Sequence, residues 1–474
     1  MKTLHTDVAV IGAGTAGLAA YRAARAAGKR ALMIEGGPFG TTCARVGCMP
    51  SKLLIAAAEA AHSAAHTAPF GVHVEGTIRV NGREVMDRVR RERDRFVGFV
   101  LEGVENVPAE DKIPGYAKFV SDTVLRVDDA YEIQASSIVI ATGSRPSVPP
   151  PFLALGDRLV VNDDVFNWED LPKSVAVFGP GVIGLELGQA LARLGVTVRV
   201  FGVSGSLGGL SDPAVRQRAR RTFQEEFYLD PDARVLSTTR VGDQVEVRYV
   251  ALDNTERTEV FDYALVATGR RPNVDQLGLE NTSVVRDARG VPEFDRHTMQ
   301  SGASSIFIAG DANADVPLLH EAADEGRIAG RNAALFPQIE PGLRRAQLGV
   351  VFSDPQIALV GASYARLPKN GYVTGEVDFG DQGRSRVMLK NKGMLHVYAE
   401  IGTGRFLGAE MIGPAAEHIG HLLAWAVQQD LTIAQMLDMP FYHPVVEEGL
   451  RTALRDAAAQ LERHASQAAL RTAA

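Results

Sequence analysis

Asp7 to Glu35 reads DVAVIGAGTAGLAAYRAARAAGKRALMIE. An apolar β-rich run, a glycine turn, an Ala/Leu-rich helical stretch and a second apolar run ending in an acid follow one another, which is the pattern of a β-α-β unit. Ser174 to Gly202, SVAVFGPGVIGLELGQALARLGVTVRVFG, repeats it without a gap at a constant offset of 167 positions, so that Gly12, Gly14, Gly17 and Gly28 fall on Gly179, Gly181, Gly184 and Gly195. A lone GxGxxG is also what an ordinary tight turn looks like. Set between a strand and a helix, in each of two copies, it is a dinucleotide fingerprint. The first glycine permits the turn, the second lets the backbone approach a pyrophosphate, and the third lets the helix pack against the strand. The phosphates then meet the free N–H groups and positive dipole end of the helix.

Each unit is followed by an apolar strand running into Ala-Thr-Gly: SSIVIATGSRP, which contains Gly143, and YALVATGRRP, which contains Gly269. From Ser305, SIFIAGDANADVPLLHEAADEG delivers Asp311 from the carboxyl end of a strand, the edge of a parallel sheet where ligands bind. From about Gln347 the pattern changes to shorter strands and two helical stretches without a further fingerprint. The expected class is α/β, with two Rossmann-like domains and a third, C-terminal α+β domain. The Ala-rich polar stretch after Ala457 is expected to fray.

The chain has 474 residues, enough for roughly three domains of about 150 residues. Hydrophobic residues make up 46% and charged residues 23%, the balance of a globular protein. Lys and Arg number 50 against 57 Asp and Glu, a net charge of −7, which gives no electrostatic case for nucleic acid or an anionic membrane. Small molecules become the default partners. No apolar run approaches the ~20 residues needed to cross a bilayer, and Met1-Lys2-Thr3 leads into a strand pattern without a signal-peptide core. A cytoplasmic location is expected.

The two cysteines, Cys43 and Cys48, lie together in GTTCARVGCMPSK, a closeness that chance gives in roughly 2% of random placements. A helix-forming stretch from Leu53 to Ala68 follows, and Pro50 suits a first helical turn. Thiols at a helix start are expected to shift toward thiolate, which suits thiol-disulfide exchange. Two buried cysteines or half of a zinc site are the other readings. Zinc would need further ligands, and no histidine stands at metal spacing near this loop, so no metal is expected.

With these residues the sequence resembles the flavin-dependent pyridine nucleotide-disulfide oxidoreductases over nearly its whole length, most closely the lipoamide branch. That branch reads Pro-Ser-Lys after the second cysteine where glutathione reductases usually carry Pro-Lys-Lys, and Ser51 follows the former pattern. The resemblance implies an FAD domain formed by 1–146 and 272–346, an NAD(P) domain at 147–271, and an interface domain at 347–474. It makes Cys43 the thiol that exchanges with substrate, Cys48 the thiol against the flavin, and Lys52 a neighbour of the flavin paired with Glu186. A plain helix-surface acid is the other reading of Glu186. The resemblance also places FAD on Gly12, Gly14 and Gly17, with Glu35 on the adenosine ribose, Asp311 on the ribityl chain, and Thr42, Ala117 and Gly143 as further contacts. Gly179, Gly181 and Gly184 would hold the nicotinamide nucleotide, with Gly269 at the matching strand end. In FYHPVVEEGLRTAL, His443 and Glu448 keep the family's dyad positions while Val445 replaces a threonine. The imidazole would take the substrate thiol's proton and the carboxylate would fix its tautomer. In the family that dyad reaches the disulfide of the other subunit, which implies a homodimer.

The reaction implied is oxidation of a dihydrolipoyl group, free or on the lipoyl domain of a multienzyme complex, with NAD⁺ as acceptor. The alternatives are another NAD(P)H-dependent disulfide reductase, glutathione-like or mercuric-reductase-like, and a non-catalytic flavoprotein subunit. One position departs from the pattern: 167 residues after Glu35 stands Gly202, followed by Val203, Ser204, Gly205 and Ser206. The acid that selects an unphosphorylated ribose is missing, and so is a nearby base for a 2′-phosphate. NAD is the expected nucleotide, with NADP not excluded, and an acid restored at position 202 is expected to sharpen that preference.

Overall fold

The computed structural model describes residues 1–473. They form two compact units: Met1–Leu53 with Asp87–Ser147 and Gly269–Arg345, and Leu54–Met86 with Val148–Thr268 and Ala346–Ala474.

In the first unit the parallel strands Lys112–Pro114, Ala31–Glu35, Lys2–Ile11 and Tyr131–Ile140 lie side by side. On the edge of Tyr131–Ile140 away from Lys2–Ile11, Ile306–Ile308 pairs in parallel and Val124–Val127 antiparallel, with Ala117–Ser121 beyond the latter. Val8 and Val10 bury into one apolar cluster and Ala9 and Ile11 into another. Such two-faced burial is why the strand reads as a near-continuous apolar run. On one face the helix Thr15–Ala26 packs on Leu319–Leu335 at very close range. A Cβ added at Gly326 would stand 2.2 Å from the Ala16 carbonyl oxygen, and one at Gly330 2.2 Å from that of Ala20.

The second unit repeats the scheme with the parallel order Tyr228–Asp230, Thr197–Phe201, Ser174–Phe178, Tyr263–Val266 and Leu159–Val160. An antiparallel meander, Arg234–Val241, Gln244–Val250 and Glu256–Phe261, accompanies it. Its inward Val245, Val247 and Tyr249 share a core with Phe178 and Phe201. The same unit holds the five-stranded antiparallel sheet Leu348–Val351, Gln356–Gly361, Phe406–Gly413, Met394–Glu400, Tyr372–Asp378. Helices Ala416–Gln428 and Glu448–Ala473 pack on that sheet.

Glu410 and Asp212 tie the meander-bearing sheet's helix to this C-terminal sheet. Glu410, fully buried, accepts the backbone N–H groups of Ser211, Asp212 and Tyr364 at 2.8, 2.8 and 2.9 Å. Asp212 caps helix Pro213–Gln224 through Ala214 N, and its other oxygen meets His396 Nδ1 at 2.7 Å and accepts from the Tyr398 hydroxyl at 2.9 Å. The stretch after Ala457 is helical to Ala473; Leu454, Ala457 and Leu461 pack in or against the core, and residues 462–470 are exposed. One sequence expectation changes in this region. The short helices Gly383–Val387 and Ile433–Leu437 add to the two expected helical stretches.

Candidate active site

The two fingerprints have the same backbone. Gly12 and Gly179 have φ of 106° and 105°, a region open to glycine at no steric cost. Gly14 and Gly181, one residue before their helices, both have φ −76° and ψ −169°. A Cβ at Gly17 or Gly184 would fall 1.9 Å from the carbonyl oxygen of Gly12 or Gly179, whereas one at Gly14 or Gly181 would meet nothing among the described residues within 4 Å. The third glycine is thus required by packing, and the second leaves an open approach to the backbone. Neither helix receives a side-chain cap among the described residues, so the first-turn N–H groups point at that open face.

Around the first fingerprint, Glu35 Oε2 accepts the Ala13 N–H at 2.7 Å and Oε1 the Gly37 N–H at 2.8 Å. Asp311 sits in the 3₁₀ turn Gly310–Asn313 and accepts from the Ser144 hydroxyl at 2.7 Å; that hydroxyl in turn accepts from Arg270 Nε at 2.8 Å. Buried Glu325 fixes the turn by accepting from Gly310 N at 2.8 Å and Asn313 Nδ2 at 2.7 Å, and burial pushes its carboxyl up. Ala117 is buried at the start of its strand, and Gly143 has φ 66° with open space at its Cβ position. The Thr142 hydroxyl is buried without a hydrogen-bond partner among the described residues. Ser144, Arg270 and Glu325 escaped the sequence reading. The signal for the first two lay in the repeated Ala-Thr-Gly ends, each followed within three residues by Arg-Pro.

Cys43 lies in the short helix Thr42–Val46, capped by Thr41, whose hydroxyl accepts from Ala44 N at 3.4 Å, and Cys48 opens the helix Cys48–Ala65. Both are thiols, Cys43 half-buried and Cys48 exposed. Their side-chain hydrogen bond, with burial second, pushes the Cys43 thiol well above the usual cysteine range. For Cys43 this runs against the expectation of a dipole-shifted thiolate, because a neighbouring thiol opposes a second negative charge; Cys48 is the thiol that opens the long helix. Buried Ser51 donates to Cys48 O at 3.1 Å, and Lys52 Nζ donates to Ser51 Oγ at 3.4 Å.

In the second unit Glu186 is 4% exposed and accepts the Phe352 N–H at 3.0 Å, which rules out the surface-acid reading. His443 and Glu448 come together as expected, with Nδ1 3.0 Å from Glu448 Oε2. Glu448 also accepts from Arg451 at 2.8 Å. The His443 hydrogen bond holds the Glu448 carboxyl below its usual range. Gly269, with φ 126°, has an open Cβ position. Gly202 does not: a Cβ there would meet the Pro180 ring at 2.6 Å and Pro231 O at 2.7 Å. An acid at position 202 therefore crowds backbone and ring, which stands against the expectation that Gly202→Glu sharpens nucleotide choice.

A two-unit sheet scaffold, paired fingerprints and a thiol pair define a class of nucleotide-dependent disulfide oxidoreductases. A profile described as pyridine nucleotide-disulphide oxidoreductase matches residues 6–326, and the profile of its dimerisation domain matches 348–454. The chain belongs to the pyridine nucleotide-disulphide oxidoreductase family. Similar proteins include the dihydrolipoyl dehydrogenase of Chlamydia trachomatis serovar D, 32% identical over 454 residues covering 93% of this chain and 94% of that one. That of Geobacillus stearothermophilus is 31% identical over 452 residues, 94% of each. Among solved structures, LpdA from Mycobacterium tuberculosis superposes with a TM-score of 0.80 at 25% identity, covering 95% of this chain and 99% of its own. The HOCl-induced flavoprotein disulfide reductase RclA from Escherichia coli has a TM-score of 0.79 at 23% identity, covers 96% and 99%, and shares the fold. The family works with FAD and NAD(H). The open faces of Gly14 and Gly181 over uncapped helix starts, and the unpaired Thr142 hydroxyl, fit such ligands.

Proposed function

We propose that this protein is a homodimeric flavoenzyme that oxidises dihydrolipoyl groups to the lipoyl disulfide with NAD⁺. The observation that carries disulfide chemistry is the pair of free thiols Cys43 and Cys48 on the adjoining helices Thr42–Val46 and Cys48–Ala65. The dihydrolipoyl substrate is supported by Ser51 and by relatives named dihydrolipoyl dehydrogenase over 93–94% of this chain. In this reading 1–146 with 272–346 hold FAD, 147–271 the nicotinamide nucleotide, and 347–474 form the subunit interface.

Gly12, Gly14 and Gly17 admit the FAD pyrophosphate, Glu35 and Asp311 take its ribose and ribityl hydroxyls, and Thr42, Ala117 and Gly143 line it. Gly179, Gly181, Gly184 and Gly269 do the same for NAD. Bound FAD supplies the two-electron relay between the cysteine pair and the nicotinamide. A substrate thiolate attacks Cys43 of the Cys43–Cys48 disulfide, the S–S bond breaks, and Cys48 leaves as thiolate. The second substrate thiol then displaces Cys43, which departs with the electron pair while the lipoyl disulfide closes. The substrate thiols must lose their protons to attack, so proton traffic needs a base. His443 of the partner subunit serves, steadied by Glu448, and Lys52 supplies positive charge toward the flavin.

Steady-state assay against dihydrolipoamide, glutathione and Hg²⁺ tests the substrate; turnover with glutathione disulfide and none with dihydrolipoamide sinks it. His443→Ala should slow dihydrolipoamide oxidation by about 10²- to 10⁴-fold while NADH still reduces the flavin. Cys43→Ser should keep, and Cys48→Ser lose, a long-wavelength thiolate–flavin absorption band.

A further inference from the structure

Copy one secures its ribose acid through a backbone bond: Glu35 accepts the Ala13 N–H at 2.7 Å. In copy two the position matching Ala13 is Pro180 and that matching Glu35 is Gly202. Proline has no N–H to hold a carboxylate, and the Pro180 ring fills the place where the side chain of residue 202 would start. The two changes belong together and remove the acid from this strand end for steric and hydrogen-bonding reasons.

Another element occupies that edge. Strands Thr197–Phe201 and Tyr228–Asp230 are parallel with Phe201 beside Asp230, so Pro231 and Asp232 leave the sheet next to Gly202. The turn is fastened to Gly202 on both sides: Gly202 N donates to Asp230 O at 2.7 Å and Ala233 N donates to Gly202 O at 2.9 Å. Asp230 is buried and its Oδ1 accepts the Asp232 N–H at 3.2 Å. Asp232 is left as the exposed carboxylate of the turn.

We propose that Asp232 sets nucleotide choice at the second fingerprint, disfavouring a 2′-phosphate by like charge from the neighbouring strand's turn. This rests on the reading that the second fingerprint holds the nicotinamide nucleotide. Arg234, exposed two residues on, is the competing group, and it would attract the phosphate instead.

Calorimetric titration of the FAD-loaded protein with ADP-ribose and 2′-phospho-ADP-ribose separates these. The wild type should bind ADP-ribose more tightly, and Asp232→Asn, which keeps the turn's backbone bonds, should narrow the ratio about ten-fold. Raising salt should narrow the wild-type ratio and leave that of Asp232→Asn nearly flat, because exposed charges are screened. An unchanged ratio in Asp232→Asn, or a wild type favouring the phosphorylated ligand through Arg234, overturns the proposal. Binding of neither probe overturns the nucleotide reading itself, and this assignment with it.

Discussion

In the first β-α-β unit the acid at the end of the second strand reaches back to the glycine turn, Glu35 to Ala13 N; in the second, the corresponding Gly202 and Pro180 are in direct van der Waals apposition. The fingerprint backbone between these ends agrees. The fingerprint glycines have φ within 1° of each other at Gly12 and Gly179, and identical φ and ψ at Gly14 and Gly181. The comparison separates two kinds of constraint. Positions that shape the backbone around a pyrophosphate repeat because sterics leave no choice. The acid position at the end of the second strand varies, and the proposal above supplies a carboxylate from the neighbouring strand's turn instead.

The largest expected effects test the shared part. Gly17→Ala puts a Cβ onto a carbonyl oxygen and should cost about 3 kcal/mol or more, yielding protein that holds no flavin on a desalting column. Gly184→Ala carries the same clash in the second unit and should leave the protein yellow while NADH no longer reduces it in a stopped-flow trace. Equal flavin loss in both would erase the assignment of separate ligands to the two copies.

The next effects test the divergent pair. Glu35→Gln replaces a charged acceptor with a neutral one and should weaken FAD by about 1.5–3 kcal/mol, read as a ten- to hundred-fold rise in Kd. Gly202→Glu should lower stability by about 1–3 kcal/mol without improving NAD selectivity, and Pro180→Ala should recover part of that loss. A Gly202→Glu protein as stable as wild type would show that the Pro180 contact yields easily.

The smallest effect is one of pH, in the second unit. Burial alone would push the Asp212 carboxyl up, but bonds from His396, Tyr398 and the helix N–H groups outweigh it and leave it below its usual range. Its folded pKa is depressed, so its stabilisation is full above the unfolded carboxylate range and fades as pH falls through the folded value. Asp212→Asn should lower stability by about 1–2 kcal/mol near neutrality, the range for losing a helix cap, and the gap to wild type should close in thermal melts toward pH 3. A constant gap would remove Asp212's ionisation from the account.

The fingerprints, the thiol pair and the His443–Glu448 dyad were legible in sequence because short spacing and local backbone demands produce them: a turn, a helix start, four residues between imidazole and acid. Asp311 was legible for the same reason, at a strand end. Ser144, Arg270 and Glu325 were not, since each acts through a partner more than ten positions away. The Cys43 proton could not be read from a helix start, because the neighbouring thiol and burial oppose the charge that a dipole favours. Gly202 shows the division most plainly. The sequence by itself determined that the ribose acid was absent. Only the tertiary structure decided why, because the Pro180 ring and the Pro231 carbonyl, 22 and 29 positions away on either side, close on that site when the sheet forms.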